Sequence, residues 1–338
     1  MSSRTALRGT ALRGTAVLAA ALVLAGCGGS DAGESSTAEG SAAPSGSASS
    51  AFPVTVTTAF GDVEVPEEPV RVVALGWGDA ETALALGVQP VGASDWLAFG
   101  GEGVGPWAAG QYDQAPEIIE TLEPSYEAIA ALQPDLILDT KSPATPERYE
   151  ALSAIAPTIG QPEDVDPYLT TYSQQLDLIG QALGKTAEAD AVAAEVDQAF
   201  ADAAAAHPEF EGVEVAVAAY SADGFGAYVR GDGRVDFMEQ LGFTNAPAVQ
   251  ELATESFFVP VSEEQLPLLD AGLTVAFPIF VDAAQITGNP LWQAIPSVQA
   301  GHSVVLDDLT LANAFSLATP QSIQYALENA VPLFADAL

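Results

Sequence analysis

Apolar runs that read as buried strands alternate with helical periodicity along the first half of the chain. After a short hairpin around Gly61, a continuous apolar strand over 71–75 leads into a helix from Asp79 to Leu86, and further strand–helix pairs follow. A strand without polar alternation must be covered on both faces, which is typical of a parallel sheet built from β-α-β units. The pattern predicts an α/β lobe over residues 52–166.

The middle of the chain carries helical spacing without an obvious stop. Leu176, Ile179 and Leu183 recur on one side of a helix, so we predict a single long helix over residues 167–207. The alternation of strands and helices then returns, which predicts a second α/β lobe over residues 208–338. The expected fold has two parallel-sheet, Rossmann-like lobes joined by one long helix, with a ligand cleft between them.

The N-terminal segment has the organisation of a secretory signal. Three arginines precede an apolar run over 16–25, which is too short to span a bilayer as a mature helix. The Leu-Ala-Gly-Cys segment that ends at Cys27 resembles a bacterial lipobox, which implies removal of residues 1–26 and lipidation of Cys27. A plain secretory signal with an accidental cysteine is the alternative.

Residues 27–51 are dominated by Gly, Ser, Ala, Thr and acidic side chains. Such a segment buries too little apolar surface to fold, so we expect a flexible tether. No later stretch is long and apolar enough for a transmembrane helix. The sequence therefore predicts an extracytoplasmic protein that is attached to the cell membrane by its lipid alone.

Composition narrows the choice of partners, because 46 acidic residues stand against 9 basic ones and the formal net charge is −37. Such a surface repels nucleic acid and anionic membranes, so neither is an expected partner. A salt-exposed habitat explains the acidity better than a specific cationic partner does. One cysteine and two histidines exclude an intramolecular disulfide and a site built from three histidines. We expect a monomer.

Six local segments stand in a defined order along the predicted folded part. They are EPVRVVALGWGDAETALALGVQPVGASD from Glu68, LEPSYEAIAALQPDLIL from Leu122, YEALSAIAPTIG from Tyr149, VDFMEQLGF from Val235, VSEEQLPLLDAG from Val261 and NPLWQAIPSVQAGHSVVLD from Asn289. Together they resemble the iron-siderophore and cobalamin class of periplasmic-type binding proteins, the class III type that serves ABC importers.

The resemblance implies a substrate-binding component rather than an enzyme. It would capture a ferric siderophore in the interlobe cleft and deliver it to an ABC permease dimer with its ATPase. The iron would arrive already chelated, so no protein iron ligand and no cofactor are expected.

The resemblance also implies two docking residues. In that class, an acidic residue on a surface helix of each lobe contacts arginines of the permease. The matching positions are Glu127, in a helix predicted to begin at an N-cap Ser125, and Glu264, with Glu263 as the alternative. Such charge pairs give orientation and association rate more than affinity. In so acidic a chain, each of these residues could also be ordinary solvated surface.

Residues just after the carboxyl ends of strands are expected to line the cleft. The candidates are Trp77, Trp96, Thr140 and Lys141 in the first lobe, and Tyr220, Tyr228, Arg230, Arg234, Phe280, Trp292 and Phe315 in the second. Core packing is the alternative for each aromatic residue and the stronger interpretation for Trp292. Trp107 and Tyr112 lie in a glycine-rich loop that could form the rim.

The basic residues bear on the class of ligand. Arg230 and Arg234 cluster in YVRGDGRVDF and could bind ligand oxygens, although a local salt bridge to Asp232 or Asp236 is an equal alternative. Catecholate complexes are multiply anionic and would need more basic residues than this chain supplies. A neutral or cationic hydroxamate complex fits better.

Two other functions stay open from the sequence. The same fold could bind cobalamin or haem, with Tyr220 or Tyr228 as a haem ligand. An extracytoplasmic hydrolase with a carboxylate pair is the alternative from another class, but the sequence has no GxSxG segment and no catalytic cysteine.

Overall fold

Alternating strands and helices make up the computed structural model, which describes residues 52–254 and 256–338. Cys27, the predicted signal and the predicted tether lie outside the described residues. The strands are β1 Val54–Thr58, β2 Gly61–Val65, β3 Val72–Ala74, β4 Gly92–Ser94, β5 Glu117–Ile119, β6 Leu136–Leu138, β7 Thr158–Ile159, β8 Glu214–Ser221, β9 Gly224–Tyr228, β10 Thr244–Asn245, β11 Phe258–Val261, β12 Leu273–Pro278 and β13 Ser303–Val305.

The helices lie mainly between these strands. They are α1 Asp79–Ala85, α2 Tyr126–Ala131, α3 Pro146–Ser153, α4 Tyr172–Ala182, α5 Thr186–Ala206, α6 Gly233–Gln240, α7 Pro247–Gln250, α8 Ala284–Thr287, α9 Pro290–Gln293, α10 Pro296–Ala300, α11 Leu309–Leu317 and α12 Pro320–Asp336. Short 3-10 helices cover Pro106–Ala108, Pro208–Phe210 and Glu263–Leu269. In the part of the chain that the structure describes, none of the helices combines the length and the apolar character needed to cross a membrane.

The first lobe is built on a five-stranded parallel sheet with the order β5-β4-β3-β6-β7. Its central strands β3 and β6 are buried throughout, because helices cover both faces. The hairpin of β1 and β2 stands beside it and turns at Gly61, as the sequence predicted. Parallel pairing brings the carboxyl ends of β3, β4 and β6 to one edge, where the cleft lies.

The second lobe has a mixed sheet, so the prediction of a second parallel sheet is wrong in part. Its order is β11-β9-β8-β12-β13, with β10 paired to β8. Strands β8, β10, β12 and β13 run parallel, whereas β9 is antiparallel to both β8 and β11. The cause is a tight turn between Ser221 and Gly224, because a link that short leaves no room for the crossover that parallel strands need. Gly224 has φ +102° there, which favours glycine.

The predicted single helix over residues 167–207 is wrong, because the segment forms α4 and α5. The chain turns at Gly184, which has φ +66°. The two helices then pack against each other: a Cβ on Gly180 would lie 2.5 Å from the Cβ of Ala189. Helix α4 belongs to the core of the first lobe, whereas α5 reaches the core of the second lobe through Val196 and Phe200. One long helix of 21 residues, α5, still joins the lobes.

Candidate ligand-binding site

A row of three aromatic rings lies on the cleft face of the first lobe. Trp77 follows β3 and Trp96 follows β4; their rings stack with centroids 4.1 Å apart and an angle of 7° between the planes. Tyr168 extends the row from the other side, with its ring centroid 4.3 Å from that of Trp77. The sequence pattern placed Tyr168 at the start of a helix, but it lies before α4 with φ +68°. The sequence pattern therefore did not predict its contact with Trp77.

Asp79 fixes the loops that carry this row. Its carboxylate is fully buried and accepts hydrogen bonds from the backbone N–H of Gly76 (2.9 Å) and Thr140 (3.0 Å), and from Nε2 of Gln175 (2.6 Å). The Thr140 hydroxyl also bonds to Asp79, so Thr140 supports the cleft from inside and is not exposed to a ligand. Burial raises the pKa of Asp79 to about 6. One side chain thus joins the β3–α1 loop, the β6–α3 loop and α4.

A cavity of about 720 Å³ lies between the two lobes. The first lobe contributes Trp96, and the second contributes Arg234, Phe280, Asn313 and Ser316. Broad apolar walls with a few polar groups are typical of a site for a bulky organic ligand. Phe280 is 82% exposed at the mouth of this cavity. Trp96, Arg234 and Phe280, three of the residues predicted to line the cleft, lie around this cavity.

Arg234 is held rigidly at the wall of this cavity. Its Nη1 lies 2.9 Å from Oδ2 of Asp232, and its guanidinium lies 4.3 Å from the ring centroid of Tyr228. Nε also donates to Oγ of Ser316 at 3.2 Å. Tyr228 itself is 3% exposed, so it supports Arg234 from the core, and burial raises its pKa to about 12. The salt bridge to Asp232 that the sequence left open is present.

Arg230 pairs with a different carboxylate from the one that holds Arg234. Its Nε lies 2.7 Å from Oε1 of Glu239, and half of its side chain is exposed. It does not line the cavity that holds Arg234. The two arginines of YVRGDGRVDF therefore have different surroundings, and the prediction that both reach a common ligand has geometric support for Arg234 alone.

A second cavity, of about 420 Å³, lies between the first lobe, the linking helices and α6. Lys141 and Tyr168 line it from the first lobe, and Asp236 lines it from α6. Lys141 is 8% exposed, and burial lowers the pKa of its ammonium group. Within residues 52–254 and 256–338, Nζ of Lys141 has no hydrogen-bond or salt-bridge partner.

The other candidate aromatic residues divide between core and rim. Trp292 and Phe315 are 2% and 1% exposed, so both belong to the core, as the stronger interpretation of Trp292 expected. Tyr220 packs against Phe225 with a centroid distance of 4.6 Å. Trp107 donates its indole N–H to Glu81, and Tyr112 is buried beneath the same loop. The loop packs against both lobes, because the Trp107 ring centroid also lies 5.4 Å from that of Tyr325 in α12.

Glu81 forms an interlobe contact that the sequence did not reveal. Its Oε2 accepts a hydrogen bond from Oγ1 of Thr319 (2.5 Å), the N-cap of α12 in the second lobe. It also accepts from Nε1 of Trp107 (2.8 Å), and its Oε1 accepts from the Gly105 N–H (3.0 Å). Burial raises the pKa of Glu81. This contact fixes α1 against α12 and so sets the distance between the cleft walls.

The two predicted docking residues are exposed in the first turns of surface helices. Glu127 lies in α2, whose N-cap Ser125 accepts a hydrogen bond from the Ala128 N–H, as predicted. Glu264 and its neighbour Glu263 lie at the start of the 3-10 helix over Glu263–Leu269. The geometry thus leaves these carboxylates accessible to a partner.

Comparison with known proteins decides the family. The sequence profile of the Periplasmic binding protein family matches residues 72–309. This chain belongs to the periplasmic binding protein family. The family resemblance and the two-lobe fold expected from the sequence are both confirmed, and the chain is a solute-binding protein of this type.

Individual relatives of this periplasmic binding protein include siderophore binders. The Bacillus subtilis protein named "Probable siderophore-binding lipoprotein YfiY" is 28% identical over 284 residues, which cover 79% of this chain and 84% of that protein. The structure of PiaA from Streptococcus pneumoniae in complex with ferrichrome superposes with a TM-score of 0.74 at 26% identity, covering 84% of this chain and 98% of PiaA. A periplasmic solute binding protein from Mycobacterium smegmatis gives a TM-score of 0.73 at 30% identity, with the same coverage.

Proposed function

We propose that this periplasmic binding protein captures a ferric siderophore between its lobes and delivers it to an ABC importer. The interlobe cavity of about 720 Å³, bounded by Trp96, Phe280 and Arg234, carries the proposal. A metal chelate wrapped in an organic ligand needs broad apolar contact and a few polar anchors, which this cavity supplies. The siderophore-binding relative and the ferrichrome complex support the same assignment.

The charge of the cavity favours a hydroxamate chelate. Arg234 is compensated by Asp232 at 2.9 Å, so it offers hydrogen bonds but little net positive charge. The neighbouring cavity holds one further carboxylate, Asp236, and one ammonium group, Lys141. The cleft therefore offers too little positive charge to balance a trianionic catecholate complex, whereas a ferric trihydroxamate core is neutral. The iron is bound entirely by the siderophore, and the protein adds no iron ligand, no cofactor and no catalytic step.

The remaining surface features fit delivery at a membrane. Exposed Glu127 and Glu264 would contact arginines of the permease dimer, one from each lobe. Lipidation of Cys27 would keep the monomeric protein outside the cytoplasm and next to the importer. The names of the relatives, which include lipoproteins, support this location.

A titration of intrinsic tryptophan fluorescence tests the proposal. The purified protein would be titrated with ferric trihydroxamates, ferric catecholates, ferric citrate, cobalamin and haemin. We expect saturable quenching by the trihydroxamate class, because Trp77 and Trp96 adjoin the proposed ligand. Quenching by cobalamin or haemin alone would replace the ligand but keep the transport role. No response to any of these compounds would contradict capture of a chelate.

A further inference from the structure

Lys141 stands in an unusual electrostatic position. It is 8% exposed and lines the cavity of about 420 Å³, beside the cavity assigned to the chelate. Its backbone is fixed, because its carbonyl accepts a hydrogen bond from the Trp77 N–H at 2.8 Å. The side chain of Lys141 therefore enters the cavity from a backbone position that is bonded to the loop of Trp77.

The nearby carboxylates do not satisfy this ammonium group. Asp232, Asp236 and Asp79 all interact with Lys141 electrostatically, as does Arg234. Asp232 is engaged by Arg234 at 2.9 Å, and Asp79 is engaged by Gln175 and Thr140. Asp236 lines the same cavity as Lys141 but forms no salt bridge with its Nζ. Arg234 lines one of the two interlobe cavities described above and is paired with Asp232. Lys141 lines the other cavity and is unpaired within the described residues.

An unpaired ammonium group on a largely buried side chain is costly unless a ligand supplies its counter-ion. The surrounding acids limit the charge that the ligand can bring. A single carboxylate would be neutralised by Lys141 alone, whereas a phosphate dianion would leave excess negative charge beside Asp236 and Asp232. The chemistry of this cavity thus selects a monoanionic oxygen ligand.

We propose that the ligand carries one carboxylate outside its iron-chelating core and that Lys141 binds this carboxylate. The inference rests on the proposed function. The core occupies the cavity next to Trp96 and Arg234, and an arm of the same molecule extends past Trp77 to Lys141. Lys141 is then the residue that distinguishes a carboxylate-bearing hydroxamate chelate from a neutral or cationic one.

Three ligands with one common core test this assignment. Ferrioxamine B ends in an ammonium group, its N-acetyl derivative ends in a neutral amide, and its N-succinyl derivative ends in a carboxylate. Affinities would be measured by isothermal titration calorimetry with the wild-type chain, with Lys141→Met and with Lys185→Met. Lys185 is the matched control, since it is the other lysine of the sequence and lies near exposed Glu188.

The wild type should bind the succinyl derivative about tenfold more tightly than the acetyl derivative, as expected for a desolvated charge pair. Lys141→Met should abolish this preference, so that the succinyl and acetyl derivatives bind with equal affinity, while Lys185→Met should behave like the wild type. An absent preference in the wild type, or one that survives in Lys141→Met, overturns the role of Lys141. If none of the three ligands binds, the hydroxamate assignment fails together with the inference.

A second measurement, the NMR chemical shift of the lysine methyl groups, reports on the contact at Lys141 itself. Reductive methylation with ¹³C labels the two lysines and preserves their charge. The Lys141 methyl resonance should shift on addition of the succinyl derivative and much less with the acetyl derivative. The Lys185 resonance should shift with neither. Equal shifts of Lys141 with both derivatives would contradict a carboxylate contact.

Discussion

The indole rings of Trp77 and Trp96 lie parallel, with 4.1 Å between their centroids and 7° between their planes. In the described part of the chain, neither indole N–H has a hydrogen-bond partner. Trp77 is covered by Trp96 on one side and by Tyr168 on the other, so Trp96 is the member of the pair that lines the interlobe cavity. The flat apolar surface of this ring suits a ligand that binds mainly by contact area.

Removing this surface should weaken ligand binding selectively. Trp96→Ala deletes the ring that lines the chelate cavity and should lower affinity about tenfold or more, because aromatic anchors dominate such sites. Trp77→Phe/Trp96→Phe should bind ligand but lose most of the quenching. Trp292→Phe, in the core at 2% exposure, is the control and should quench like the wild type. If the ligand still quenched the fluorescence of the double variant as fully as that of the wild type, the ligand would have to bind away from Trp77 and Trp96.

A buried ion pair should stabilise the first lobe. Arg148 and Asp139 are both 5% exposed; Nη2 lies 2.8 Å from Oδ1, and Nη1 donates to the Thr121 carbonyl at 3.1 Å. Arg148→Met leaves the Asp139 charge buried and unpaired, so the free energy of unfolding should fall by about 3–5 kcal/mol.

The measurement is urea-induced unfolding followed by circular dichroism. Lys185→Met is the matched control, because it removes one partner of a partly exposed pair, in which Nζ lies 3.7 Å from Oε1 of Glu188. That variant should lose less than about 1 kcal/mol. Equal losses in the two variants would contradict a structural role for the buried pair.

The Glu81–Thr319 contact should couple the two lobes. Glu81→Gln replaces one of two accepting carboxylate oxygens by an NH₂ group, which leaves the N–H of Trp107 or of Gly105 without an acceptor and should cost about 1–3 kcal/mol of unfolding free energy. Thr319→Ala also loses the N-cap of α12. A double-mutant cycle separates the two effects and should give a coupling energy of about 1–2 kcal/mol. Glu328→Gln, at an exposed position on α12, is the control. A coupling energy near zero would contradict a stabilising contact between Glu81 and Thr319.

Stability should depend on pH through Asp236. Burial raises its pKa from 3.8 to about 6, with smaller contributions from the carboxylates of Asp232 and Glu239. The native state therefore holds this proton more tightly than the unfolded chain. The resulting stabilisation is complete below about pH 4 and is lost as the pH rises to about 6.

Asp236→Asn has no carboxyl group at this position, so it should not lose stability in this way as the pH rises. Its melting temperature should exceed that of the wild type by a few degrees at pH 7, with a much smaller difference at pH 4. Exposed Glu195→Gln, which removes the same charge, controls for the general self-repulsion of the acidic chain and should show no such pH dependence. A larger gain at pH 4 than at pH 7 would have the wrong sign for this mechanism.

The sequence predicted the cleft residues that depend on local rules. Trp77 and Trp96 follow apolar strands, and parallel strands bring such positions to one edge of a sheet. It failed where tertiary contacts override a local pattern. Gly184 interrupts a helical repeat because α4 and α5 pack closely, and Tyr168 takes a left-handed conformation before α4. Neither signal is visible in hydrophobic spacing alone.

Long-range polar contacts were also beyond the sequence. Glu81 and Thr319 are separated by 238 positions, so no spacing rule connects them. Lys141 was placed near the cleft from the end of β6, but its burial without a salt-bridge partner depends on the pairing of Asp232 with Arg234 in the second lobe. These relationships arise only when both lobes are assembled.

The location of iron in a crystal of the complex tests the central claim most directly. Crystals grown with a ferric trihydroxamate would be measured above and below the iron absorption edge. We predict one anomalous peak between the lobes, in the cavity bounded by Trp96, Phe280 and Arg234. An iron peak on the outer surface, or none in crystals soaked to saturation, would contradict capture of a ferric siderophore in this cleft.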